Sequence, residues 1–158
     1  MTTHTTERTT PLPIATDRVI ALVFAIIATV GALPGLLGLT MSGAVALRGL
    51  DMLVGDWKPS LENVVIWGAG ALCTGLFITG FWLLPRYYLR WRRWTPTNSS
   101  HTLWPATIIS NALGALICAI LTSGEPPVSV LTLLWGGVLV TLATIAMRAE
   151  RRRLSALS

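Results

Sequence analysis

Over most of its length this sequence has no charge. No Asp, Glu, Lys or Arg occurs between Arg18 and Arg48, from Asn63 to Pro85, from Trp94 to Gly124, or from Pro126 to Met147. Charged residues make up 12% of the 158 residues, about half of the ~25% usual in soluble domains, while apolar residues reach 53%. Four uncharged runs of 22 to 31 residues each match or exceed the ~20 that a helix needs to cross a ~30 Å hydrocarbon layer. A soluble single domain is therefore excluded. The expected fold class is an all-α integral membrane protein, with four transmembrane helices in a small bundle and a short interfacial amphipathic helix between the first two spans.

Reactive groups are equally sparse. There are two cysteines and two histidines. Cys73 and Cys118 stand singly in the middle of separate apolar runs, where a thiolate cannot form readily, so they read as small packing residues rather than a redox pair. His4 and His101 lie in polar segments with no clustered Cys, Asp or Glu, so neither metal nor cofactor is expected. Asp51 and Asp56 share one short segment but lack a His or Ser to work with, and no catalytic residue is assigned. The spans hold no buried carboxylate that a proton- or cation-coupled exporter would use, which argues against the small multidrug exporter type.

What is present is punctuation and a charge gradient. Residues 1–18 (MTTHTTERTTPLPIATDR) are rich in Thr and Pro without an apolar period, and are expected to be a disordered tail. A transmembrane domain over 19–147 follows, with spans at about 19–39, 61–84, 103–121 and 128–147, then a basic tail over 148–158 into which the last helix continues. Pro34 with Gly31, Gly35 and Gly38 should kink the first span. Ala44-Val45-Ala46 after that apolar run also allows a cleaved signal, although the run is longer than such signals usually are. In RGLDMLVGDWKPS (48–60), Leu50, Leu53, Val54 and Trp57 repeat at helical spacing, which suggests the interfacial helix. Ser60 is placed to cap the second span, and Pro85 to end it. The breaker TSGEPP should turn spans three and four into an antiparallel hairpin.

Ten of the twelve basic residues fall on one side of this topology: Arg8, Arg18, Arg86, Arg90, Arg92, Arg93, Arg148, Arg151, Arg152 and Arg153. The positive-inside rule then puts both termini in the cytoplasm of a cell (plasma) membrane protein. RYYLRWRRW (86–94) reads as a cytoplasmic connector. Its Arg86, Arg90, Arg92 and Arg93, with Arg148, Arg151, Arg152 and Arg153, would face anionic lipid headgroups at about 1 kcal/mol each. Trp82, Trp91, Trp94 and Trp104 would form an interfacial belt. Nucleic acid is not expected, because single-strand binding needs a groove and this is a short loop pinned to a bilayer.

Small and polar residues suggest where helices touch. Gly31 with Gly35, Gly70 with Thr74, Ala71 with Gly75, Ser110 with Gly114, and Gly137 with Thr141 are small-x-x-x-small pairs, and Asn111 needs a hydrogen-bond partner within span three. The function these features favour is non-enzymatic. It is that of an accessory, assembly or exclusion-type factor acting by helix association, with another membrane protein or its own copies as partner. The alternative is a holin-like, self-associating permeabiliser.

Overall fold

The computed structural model describes residues 14–55, 60–92 and 100–157, and these form five α-helices with no strand among them. They are α1 (Ile14–Val30), α2 (Ala32–Val54), α3 (Leu61–Arg92), α4 (Ser100–Leu121) and α5 (Pro126–Leu157). Four helices are long and apolar enough to cross a membrane, with spans at Ala32–Met52, Leu61–Arg92, Thr102–Leu121 and Pro126–Ser155. The chain is therefore compatible with a small multi-pass membrane protein. At about 48 Å, from 1.5 Å per residue, α3 and α5 are both longer than a ~30 Å hydrocarbon layer, and their arginines lie in their closing turns.

Several boundaries differ from the sequence reading. The expected tail over 1–18 gives way to helix at Ile14, and Asp17 within it is buried; residues 1–13 lie outside the described residues. The stretch 19–39 is broken at Gly31, whose N–H still bonds Ile27 O at 2.9 Å. This break puts Pro34 in the first turn of α2, where a missing N–H leaves no helical hydrogen bond unmade. α2 then runs unbroken through 48–54, so these residues are its closing turns rather than a separate helix. Trp57 and Pro59 lie outside the described residues. Pro85 does not end the second span, because α3 continues through it to Arg92. The turns after Pro85 are held by tertiary contacts, since Leu83, Tyr87 and Arg90 (spaced i, i+4, i+7) are all buried. Consequently 86–92 is helix and not loop.

Other expectations hold. Asn63 N–H donates to Ser60 Oγ at 3.3 Å, an N-cap for α3. The TSGEPP turn closes through Ser123 N–H to Ile120 O (3.2 Å) and Glu125 N–H to Thr122 O (2.9 Å). Pro126 and Pro127 occupy the opening positions of α5. The last helix runs on into the basic segment as far as Leu157.

The helices pair as two hairpins. α1 and α2 together line α3, and α4 lines α5. The hairpin backbones come close only where α1 reaches α5 and α3 reaches α4; among the described residues the backbone of α2 approaches neither α4 nor α5, and α3 reaches α5 through side chains alone. The core is correspondingly one-sided. Ile20, Ala21, Phe24 and Ala25 of α1 pack with Leu83 and Tyr87 of α3, Leu103 and Trp104 of α4, and Leu139, Ala143 and Ala146 of α5. All lie toward the arginine-bearing end. Toward the other end the hairpins part, and Leu36, Met41, Leu47, Leu116, Ile120 and Leu134 are exposed.

Within each hairpin the helices approach at glycines. A Cβ built on Gly70 would lie 2.9 Å from Val45 Cγ1 and 3.3 Å from Ser42 O, and one on Gly38 or Gly49 would overlap the Phe77 or Trp67 ring. Thr74 Oγ1 donates to Ser42 Oγ across the same seam at 3.1 Å. A Cβ on Gly35 would lie 3.5 Å from Phe81 Cζ. In the other hairpin Gly136 packs on Ala115. By contrast Gly75, Gly114 and Gly137 face open space, and a Cβ on Gly31 would meet only the last turn of α1. Gly70→Val should therefore lower stability by about 1–3 kcal/mol through overpacking. Gly75→Ala should be neutral or stabilising by up to ~1 kcal/mol from helix propensity. Thermal unfolding of both variants in mild detergent checks this, and equal effects would contradict the seam.

Candidate functional site

The hairpins are joined at the arginine-bearing end by a buried polar cluster. α1 supplies Asp17, α3 Arg90, α4 Trp104, and α5 Glu150 and Arg153. Arg90 Nη2 donates to Asp17 Oδ2 at 2.5 Å and lies 3.6 Å from Glu150 Oε2. Arg153 Nη1 is 3.7 Å from Asp17 Oδ2. Trp104 Nε1–H donates to Glu150 Oε2 at 2.8 Å. Two carboxylates and two guanidiniums thus face one another, with Arg90 8% exposed and Trp104 1%. Every helix except α2 contributes a member.

Helical spacing explains how each group arrives. Asp17, Ile20, Ala21 and Phe24 share one face of α1, so the face that carries the acid also carries the apolar contacts. Arg90 continues the buried stripe of Leu83 and Tyr87 on α3. Glu150 continues Ala143 and Ala146 on α5. One layer farther in, Phe24, Tyr87 and Trp104 form a ring cluster with centroids 5.3 to 6.4 Å apart. The Tyr87 hydroxyl pairs with Thr107 Oγ1 at 2.7 Å, and Thr107 Oγ1 also reaches Leu103 O at 2.8 Å. Arg86 stacks over Trp82 at 3.5 Å and donates to Thr102 Oγ1 at 3.3 Å, a second tie between α3 and α4.

The cluster is electrically balanced but not fully bonded. Asp17 Oδ1, Arg90 Nε and Glu150 Oε1 are buried without a partner. Each such atom has lost water without a replacement, so the cluster's contribution is positional more than stabilising. Burial pushes the Asp17 carboxyl above its ordinary 3.8, Arg90 pulls it down, Glu150 adds to the rise and Arg153 opposes it, with a net upward result. A folded-state value above the unfolded one means the folded chain takes up this proton more readily. The contribution of Asp17 to stability is therefore greatest in acid and declines as pH rises from 3.8 through the raised value.

The residues singled out from sequence fall into distinct places. Arg90 is turned inward to Asp17 and Glu150, so it does not face a headgroup, and Arg153 is half-buried beside it. Trp104 belongs to the core rather than to an interfacial belt. Arg86 is half-buried on Trp82, while Arg92, Arg148, Arg151 and Arg152 are exposed. Arg93 and Trp94 lie outside the described residues. Asn111 Nδ2 donates to Thr107 O of its own helix at 2.8 Å, and Ser110 is half-buried nearby. Of the proposed packing glycines, Gly70 and Gly35 stand at a helix contact and Gly75, Gly114 and Gly137 do not. Asp17 and Glu150 were missed. Glu150 carries a legible signal, as the one acid among Arg148, Arg151, Arg152 and Arg153. The described residues contain no group of three or more His, Cys, Asp or Glu able to hold a metal.

Arg90→Met should cost about 3–5 kcal/mol, because it strands two buried carboxylates. Asp17→Asn, which resembles the protonated carboxyl, should cost less and should abolish the decline of stability above pH 3.8. Unfolding in detergent across a pH series measures both, and a wild-type profile that Asp17→Asn leaves unchanged would contradict the assignment. Comparison with known proteins gives no family model, no curated protein and no solved structure that matches this chain.

Proposed function

We propose that this chain is a non-enzymatic membrane factor that acts by helix–helix association, as an accessory, assembly or exclusion-type component of another membrane protein. The observation that carries this reading is the one-sided packing of the two hairpins. They are tied by ions and aromatics at one end, while their apolar halves stand apart at the other. Helices left without a neighbour inside their own chain are suited to receiving one from outside it. In a bilayer, where lipid and side chain are equally apolar, such docking is driven by close packing and polar bonds rather than by hydrophobic burial.

The polar residues of the spans speak against a permeabiliser. Thr79, Thr132, Thr141 and Thr144 each return their hydroxyl to the carbonyl four residues back, at 2.8 Å. A hydroxyl satisfied within its own helix can face lipid and need not line water. In this reading the arginine-rich end lies in the cytoplasmic leaflet of the plasma membrane, with both termini inside. Arg48 and Asp51, at the close of α2, lie in the opposite headgroup layer beside exposed Leu50 and Val54.

Two measurements test the proposal. A C-terminally tagged chain extracted in mild detergent should retain a distinct membrane protein in fixed stoichiometry. A ladder of self-oligomers alone, with collapse of membrane potential on overproduction, would replace it with the holin-like reading. A reporter fused after Ser158 should be active in the cytoplasm, and external activity would overturn the orientation.

A further inference from the structure

α1 has a second organised face. Asp17, Ile20, Ala21 and Phe24 turn inward, whereas Ala15, Arg18, Val19 and Leu22 (spaced i, i+3, i+4, i+7) line a groove closed on the other side by Trp91 and Arg92 of α3. Its volume of ≈ 430 Å³ falls in the range of ligand clefts, about 300–1,000 Å³. The groove changes character along its length. Arg18, Arg92 and Trp91 form its polar part, Val19 adjoins Arg18, and Leu22 lies one turn farther along α1. Arg18 Nε donates to Trp91 O at 3.1 Å, which fixes the guanidinium at the rim. Among the described residues no carboxylate lines it; the adjacent Asp17 points away into the ion cluster. Trp91 is exposed at the rim, and Val19 is 59% exposed.

We infer that this groove seats one anionic phospholipid, its phosphate between Arg18 and Arg92 and an acyl chain along Val19 and Leu22. A guanidinium presents a planar fork that matches two phosphate oxygens, and two of them at one rim select an acidic headgroup over a zwitterionic one. An indole beside them suits the interfacial depth at which a headgroup lies. The apolar strip below supplies what a free phosphate would not use, so the occupant is a lipid. The inference rests on the membrane reading given above and names a partner for its arginine-rich end.

The test uses the full chain in vesicles of equal phosphatidylglycerol and phosphatidylcholine, extracted in mild detergent, with retained lipid counted by native mass spectrometry. Wild type should keep phosphatidylglycerol in preference to phosphatidylcholine. The double variant Arg18→Gln/Arg92→Gln should lower that preference by more than ten-fold, about five-fold per arginine. Arg151→Gln/Arg152→Gln, which removes the same charge from exposed positions outside the groove, should lower it far less, because diffuse attraction to headgroups does not hold a lipid through detergent extraction. Val19→Trp, which fills the groove without altering charge, should also reduce retention. Equal retention of both lipids by wild type, an equal loss in both double variants, or full retention in Val19→Trp would overturn the groove site. Release of wild type from membranes by carbonate would instead overturn the membrane reading, and the groove with it.

Discussion

Arg90 is the constraint on which the arrangement depends. A guanidinium buried near the end of a long apolar helix must be matched by carboxylates, and the two that match it come from the first and last helices of the chain. Meeting that requirement brings the beginning of α1 and the end of α5 against the end of α3. Trp104 adds α4 by giving its indole N–H to the same Glu150. The ionic layer therefore sets which helices are neighbours. The aromatic and alanine layer next to it, with Ala143 and Ala146 allowing close approach, fills the space so defined. Buried ion pairs of this kind are weak sources of net stability, since desolvation offsets much of their attraction, whereas removing one partner is strongly destabilising.

The other end of the molecule follows a different rule. There each hairpin is held by small residues against large ones, as with Gly38 against Phe77, Gly49 against Trp67 and Gly136 against Ala115. Such contacts zip two helices along a shared seam but reach no further than the neighbour. Among the described residues no hydrogen bond or ion pair joins the hairpins there, and they part. The combination gives a chain whose buried core lies at the arginine-bearing end, while Leu36, Leu47 and Ile120 are exposed toward the other. That asymmetry suits a factor that completes its packing with a partner.

Hydropathy alone made the class and the span count legible, because uncharged runs of this length have few other uses. The hairpin turn and the Ser60 cap were legible from local chemistry, since Gly, Pro and Ser act there on their own backbone. The ionic cluster was not. Asp17 sits in a Thr- and Pro-rich stretch that looks like a tail, Arg90 in an arginine run that looks like an orientation signal, and their 73-residue separation hides the pairing. Pro85 misled for a related reason: its local tendency to end a helix is overridden by the burial of Tyr87 and Arg90 beyond it. Small-residue motifs showed the right kind of residue without the right partner. Gly70 stands at a helix contact as its motif suggested, with α2 as the neighbour, yet Gly136 rather than Gly137 faces α4, a distinction of 100° on the helix that spacing alone does not resolve.

The central claim is that the two hairpins join at the arginine-bearing end and diverge at the other. The most direct measurement is a pair of spin-label distances on the chain in bilayers, with Cys73 and Cys118 replaced by serine. One pair joins α1 to α5 at the arginine end, at Val19 and Arg148; the other joins α2 to α4 at the far end, at Leu47 and Ile120. The account predicts a short, narrow distribution for the first pair and a longer, broader one for the second. Two equally short and narrow distributions would mean that the helices close into a bundle along their whole length, and would contradict it.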